Sequence, residues 1–207
     1  MTETLETILT HLAVSEGTML GTSIRFRAKF RRTSRMCDLF VWSALRRALF
    51  LMAGFRQMVA ERNLVCAGAL LRTQLDTALR FQSVFLVNDP EAFARSVVSG
   101  TPVKKLKART RDLLTDPFLV KSASTEFPWV TEVYSQASGF IHFSEKHFWS
   151  HQSATENATG KVVVVVDTYD ELPDRVFVDA VDAFKRSVDL LYTYVNRWDE
   201  CQKTGTV

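Results

Sequence analysis

Apolar residues recur three and four positions apart along most of this chain, the period of an α-helix with one buried face. Leu5, Ile8, Leu9 and Leu12 begin the pattern behind Thr2 or Thr4 as caps, predicting a first helix that runs towards Phe30 with irregularity at Gly17 and Gly21. Leu39, Trp42, Leu45, Leu49, Met52 and Phe55 predict a second helix from near Ser34 to about Arg62. Its nearly all-round apolarity assigns it to the core. A third helix is expected from about Leu64 to Val87, stopped by Asn88-Asp89-Pro90, and Asp89 should cap a short helix through Val98. Further helical stretches are expected over 118–124 and 128–139, the second with Pro128 in its first turn. Behind Pro173 and Asp174, the residues Phe177, Val181, Phe184, Val188, Leu191, Val195 and Trp198 alternate four and three apart. They form a packing seam, within a bundle or between two subunits.

One segment breaks the helical pattern. Val162 to Val166 is a run of five valines, whose branched side chains favour a strand. A strand needs a partner, and part of Phe148–Ala154 across a turn at Gly160 supplies one. The fold class expected is therefore mainly all-α: one helical-bundle domain over 1–207 with a small β-hairpin near residues 148–166.

Composition narrows the setting. Apolar residues make up 46% of 207 residues, and Gly and Pro number only 8 and 5, as in an ordered globular chain with long elements. The most apolar stretch, Leu39 to Phe55, has Arg46 and Arg47 at its middle, which argues against a membrane span. The first residues lack a basic start followed by an apolar run, so a cytoplasmic location is expected. Cys37, Cys66 and Cys201 are widely spaced and suggest reduced thiols, with no role in a metal site. Net charge is +3, but unevenly spread. Residues 1–111 hold 18 Lys/Arg against 8 Asp/Glu, while residues 112–207 hold 8 against 15. That asymmetry implies either a basic surface for an anionic partner or complementary faces that pair in a dimer.

Three groups of residues carry candidate chemistry. On the third helix, at 100° per residue, Arg72, Asp76 and Arg80 share an arc of about 80° beside Ala69 and Ser83. On a mostly buried helix such charges must pair with one another or bind something. The two readings are a structural salt-bridge network and a ligand pocket in which the arginines hold an anion and Asp76 orients them. The second group is the segment from Gly139 to His151, with His142, Ser144, Lys146, His147 and His151 among aromatic residues. It offers proton transfer at His142 and phosphate contact at Ser144, Lys146 and His147, or simply a hydrogen-bonded core histidine. No third metal ligand accompanies His147 and His151, and neither a metal nor a cofactor is expected. The third group is the basic run Arg25, Arg27, Lys29, Arg31, Arg32 and Arg35, interleaved with Phe26 and Phe30, together with Lys104, Lys105, Lys107, Arg109 and Arg111. These could contact a nucleic-acid backbone while the phenylalanines stack on bases, or the phenylalanines could anchor a solvated helix. A glycine-rich phosphate loop, a nucleophile elbow, a His-Glu-x-x-His helix and a calcium loop are all absent.

Three segments carry a resemblance: Leu70 to Phe81, Val103 to Lys107, and Tyr134 to Ser144. Over roughly residues 40–150 the chain resembles uncharacterised bacterial helical proteins loosely related to the HEPN group. The resemblance implies that Arg72 and Asp76 meet His142 and Ser144 in space, so that the first two groups form one pocket. It also implies a helical bundle, a homodimer, and nucleotide or RNA binding in a toxin–antitoxin or antiphage (antiviral defence) setting. The arginine–histidine spacing of HEPN nucleases does not occur in this chain. The alternative is a non-catalytic dimeric interaction or regulatory module that uses its opposite charge poles on a protein partner.

Overall fold

In the computed structural model, residues 5–30, 35–141 and 172–204 are described, and among them the chain is overwhelmingly helical. The helices are α1 (Leu5–Phe30), α2 (Met36–Ala60), α3 (Leu64–Gln82), α4 (Pro90–Val98), α5 (Asp116–Ser124), α6 (Trp129–Ile141) and α7 (Asp174–Thr204). All-α architecture is thus present, and no described helix is long and apolar enough to cross a membrane. The hairpin expected near 148–166 lies outside the described residues.

The bundle is built around α3, which packs against α2, α7, α6 and α5. The α7 seam behaves as its spacing predicts: Phe177, Val181, Phe184, Val188, Leu191, Val195 and Trp198 are all buried. Phe184 stacks on Phe55 of α2 with ring centroids 4.0 Å apart, and Phe85, just beyond α3, meets Tyr194 and Trp198 at 6.1 and 6.3 Å. Each such ring, taken out of water, contributes roughly 1.5–3 kcal/mol. Burial, with Glu126 nearby, holds the Tyr194 hydroxyl above its usual pKa, so it stays neutral in this core.

α2 differs from expectation. Its core face is Cys37, Val41, Ala44, Leu45, Ala48, Met52, Phe55 and Val59, whereas Leu39 and Phe50 are exposed and Trp42 and Leu49 are half-buried. Its outer surface is partly apolar, because among the described residues α1, α3, α4 and α7 cover only part of it. Likewise α1 is continuous through Gly17 and Gly21, where the sequence suggested irregularity.

The ends of the helices follow local chemistry. Asp89 caps α4 as expected, accepting from the Ala92 N–H at 2.9 Å. Gly100, at φ +95°, ends that helix in the left-handed conformation a glycine tolerates. Asn63 caps α3 through the Cys66 N–H. α2 is capped from a distance: both Glu91 carboxylate oxygens accept from the Met36 and Cys37 N–H groups, at 2.7 and 3.1 Å. Burial would raise the Glu91 pKa, but these backbone donors outweigh it and hold the carboxyl below its usual range. Burial, and then the Glu91 charge, pushes the Cys37 thiol up to about 12, leaving it unreactive.

Arg62 joins the α2–α3 turn to α7. Its φ of +56° is unfavourable for a side chain with a Cβ by about 1–2 kcal/mol. It is held there by an ion pair to Asp174 at 2.8 Å, a hydrogen bond to the Leu172 carbonyl and a stack on Phe177 at 4.6 Å.

Candidate functional site

The side of α3 turned towards α5 and α6 is ionic. Arg72, Asp76 and Arg80 lie one turn apart, and the structure adds Asp116 from the first turn of α5. Together they close a ring of alternating charge. Arg72 lies 3.5 Å from Asp76, Asp76 lies 2.6 Å from Arg80, Arg80 lies 2.9 Å from Asp116, and Asp116 lies 3.5 Å from Arg72. Exposure of these side chains runs from 11% at Arg72 to 32% at Asp116, so the ring is shielded but not dry. Burial works against the Arg80 charge, yet its bonds to Asp76 and Asp116 outweigh this and raise its pKa above the ordinary value.

Helix α6 completes the wall. The Arg72 guanidinium lies 3.9 Å from the Tyr134 ring centroid, a cation–π contact. Its Nε donates to Ser138 Oγ at 3.3 Å, and Ser138 donates to the Tyr134 carbonyl. The Tyr134 hydroxyl donates to Asp116 at 3.2 Å. Burial, opposed by the Arg72 charge and assisted by Asp116, holds the Tyr134 pKa up, so it remains a donor. The close fit of α6 on α3 depends on Gly68, where a Cβ would fall 2.3 Å from the Phe140 ring.

These residues line a cavity of about 330 Å³, with Thr73, Ile141 and, from α2, Arg47. Arg47 is the distinctive member. Its Nε donates to Thr77 Oγ1 at 3.0 Å, and it faces no carboxylate among the described residues. Among the described lining residues Arg72 and Arg80 are matched by Asp76 and Asp116, so Arg47 is one surplus positive charge. Such a wall can hold an anion through its guanidinium groups, above all the exposed Arg47; the Thr73 and Ser138 hydroxyls already donate to the Ala69 and Tyr134 carbonyls, and the Tyr134 ring already carries Arg72. Among the described residues no group of histidine, cysteine and carboxylate side chains could hold a metal ion.

Compared with family models, with curated proteins and with solved structures, the chain matches none. What it does must therefore be read from its own side chains.

The sequence-derived candidates fare differently. Arg72, Asp76 and Arg80 come together on one wall. His142, Ser144, Lys146 and His147 lie outside the described residues, although Ile141, the residue before His142, lines the cavity. Arg25 and Arg27 are exposed on α1, Lys104, Lys105 and Lys107 are exposed between α4 and α5, and none lines the cavity. Arg31, Arg32 and the Lys29 side chain lie outside the described residues. Phe26 is a core residue at 9% exposure, so it anchors α1 and offers no platform for bases. Arg109 is structural: it donates to the Phe85 and Val87 carbonyls in the segment between α3 and α4.

Asp116, Tyr134, Ser138 and Arg47 were not singled out from the sequence. Asp116-Pro117 at a helix start and the four-residue spacing of Tyr134 and Ser138 are the only local signals for three of them. In the sequence, Arg47 argues only against a membrane span over Leu39 to Phe55.

Proposed function

We propose that this chain is a HEPN-like helical protein that binds a phosphate-bearing ligand, a nucleotide or RNA, in the α3 cavity. It acts as a homodimer in a toxin–antitoxin or antiphage setting. The observation that supports the reading best is Arg47, a guanidinium on the cavity wall without a carboxylate partner among the described residues, beside two arginines already held in place. Preorganised guanidinium groups bind phosphate oxygens through charge-assisted hydrogen bonds without a large ordering cost. His142 follows Ile141 directly in the chain and is the candidate proton carrier; Ser144, Lys146 and His147 follow as further ligand contacts. The basic residues of α1 and Lys104, Lys105 and Lys107 extend contact along a longer RNA.

The test is titration of the full chain with nucleoside triphosphates and a single-stranded RNA oligonucleotide, followed by native mass spectrometry. Removing one charge-assisted contact costs about 1.5–3 kcal/mol, so Arg47→Ala should weaken binding roughly tenfold or more. His142→Ala should abolish any turnover and leave binding in place. No binding by the wild-type chain, or equal binding by Arg47→Ala, overturns the reading. The closed Arg72–Asp76–Arg80–Asp116 ring is the observation that favours the second reading, a non-catalytic interaction module whose ion pairs serve the fold alone.

A further inference from the structure

The outward side of α1 has the composition of an interior. Its core side is Ile8, Leu12, Met19 and Phe26. At 100° per residue, the opposite side carries Thr10, Val14, Gly17, Gly21, Ile24 and Ala28, flanked by Ala13 and Leu20. Val14, Leu20 and Ile24 are 66%, 52% and 58% exposed. Between Glu6 and Arg25 the only charged side chain of α1 is Glu16, which turns aside to pair with Arg56 of α2 at 3.2 Å. A solvated helix face is normally charged or polar, so an uncharged one of this length marks a contact surface. On neighbouring α2, Leu39 and Phe50 are exposed as well.

We infer that this face docks a second copy of the chain, with the two α1 helices antiparallel and crossing between Gly17 and Gly21. Two observations select a second copy. The first is the order of residues. Val14, Gly17, Gly21 and Ile24 are spaced three, four and three, a large–small–small–large pattern that reads the same in both directions. A two-fold axis level with Met19 sets Gly17 against the partner's Gly21 and Val14 against the partner's Ile24, the self-complementarity an isologous interface requires. A Cβ at either glycine meets nothing within 4 Å, so a neighbouring backbone has room to approach. The second is charge. Glu6 is exposed at one end of the face and Arg25 and Arg27 at the other. Antiparallel pairing turns the acidic end of each helix towards the basic end of the other, whereas parallel pairing stacks like charges.

From the proposed function this takes only the expectation that the chain pairs with itself, and its failure leaves the cavity reading standing. The test is sedimentation and native mass spectrometry of the full chain across a concentration series, with Val14→Asp and Ile24→Asp beside it. The expected result is a wild-type dimer and at least tenfold weaker association for each variant. Helicity by circular dichroism should be unchanged, because both side chains point to solvent, and binding at the cavity should persist in the monomer. In a Cys66→Ser/Cys201→Ser background, Val14→Cys combined with Ile24→Cys should form an interchain disulfide on mild oxidation, and Val14→Cys alone should not. A wild-type monomer at every concentration overturns the inference and leaves the face to a different protein. A dimer insensitive to Ile24→Asp, or efficient cross-linking by Val14→Cys alone, overturns it as well.

Discussion

The two sides of α3 are held by different forces. Towards α2 and α7, Leu71, Ala78 and Phe81 are buried in apolar packing, with Phe81 stacked on Phe40 at 5.8 Å, a contact without direction. Towards α5 and α6, the same helix presents Arg72, Asp76 and Arg80 to Asp116, Tyr134 and Ser138, and leaves a cavity. Apolar packing stabilises in proportion to the area it removes from water and tolerates no gap. Ion pairs at partial exposure stabilise little, because hydration lost on one side offsets attraction on the other. What they provide is fixed charge in fixed directions, next to space. Stability is concentrated on the first side and the capacity to recognise a ligand on the second.

The largest effect that tests this division is on the dry side. Phe184→Ala removes the ring stacked on Phe55 and should cost about 3–5 kcal/mol in urea unfolding. At a temperature where the variant stays folded, ligand affinity at the cavity should be unchanged. Asp76→Ala works on the other side: it leaves Arg72 and Arg80 sharing Asp116 alone and should cost about 2 kcal/mol, midway between exposed and buried ion pairs. If Asp76→Ala cost as much as Phe184→Ala, the contrast drawn between the two sides would fail.

Gln74 sharpens the comparison from within the core. It is fully buried on α3, and neither its Oε1 nor its Nε2 has a hydrogen-bond partner among the described residues. Unmet amide groups in an apolar interior are destabilising, so Gln74→Leu, close to it in volume, should raise the unfolding free energy by about 1–2 kcal/mol. The smallest change expected is at Gly68→Ala. Helix propensity alone would gain about 1 kcal/mol, but the added methyl meets the Phe140 ring, and overpacking costs about 1–3 kcal/mol. The net should be a loss of about 1 kcal/mol with a clear fall in cavity binding, because α6 moves away from Arg72. A stabilised Gly68→Ala variant with intact binding would show that the close α3–α6 contact is dispensable.

The helices were legible because each one needs only its own residues to declare a period. The α7 seam and the Asp89 cap depend on neighbours within a few positions, whereas α3 ends at Gln82, short of the expected Val87, and passes into a 3-10 turn at Ser83–Phe85. The face each helix buries was less legible. The all-round apolarity of α2 pointed to the centre of the bundle, yet Leu39 and Phe50 are exposed. A hydrophobic side chain buried in the core and one awaiting a partner look alike in sequence. The site was half legible. Arg72, Asp76 and Arg80 share a helix face and announce one another, whereas Asp116 lies 36 residues beyond Arg80 and reaches it only through the placement of α5.

The sequence by itself determined a mainly helical chain, most of the described helix boundaries, and three charged residues on one stripe of α3, since hydrogen bonding and side-chain direction along a helix are local. Only the tertiary structure decided that Asp116 closes the ring, that Tyr134 stacks on Arg72, and that Arg47 reaches the cavity without an ion pair among the described residues. Those contacts follow from how α2, α5 and α6 settle against α3. That arrangement is set by the sum of packing over the whole core and is written in no single segment.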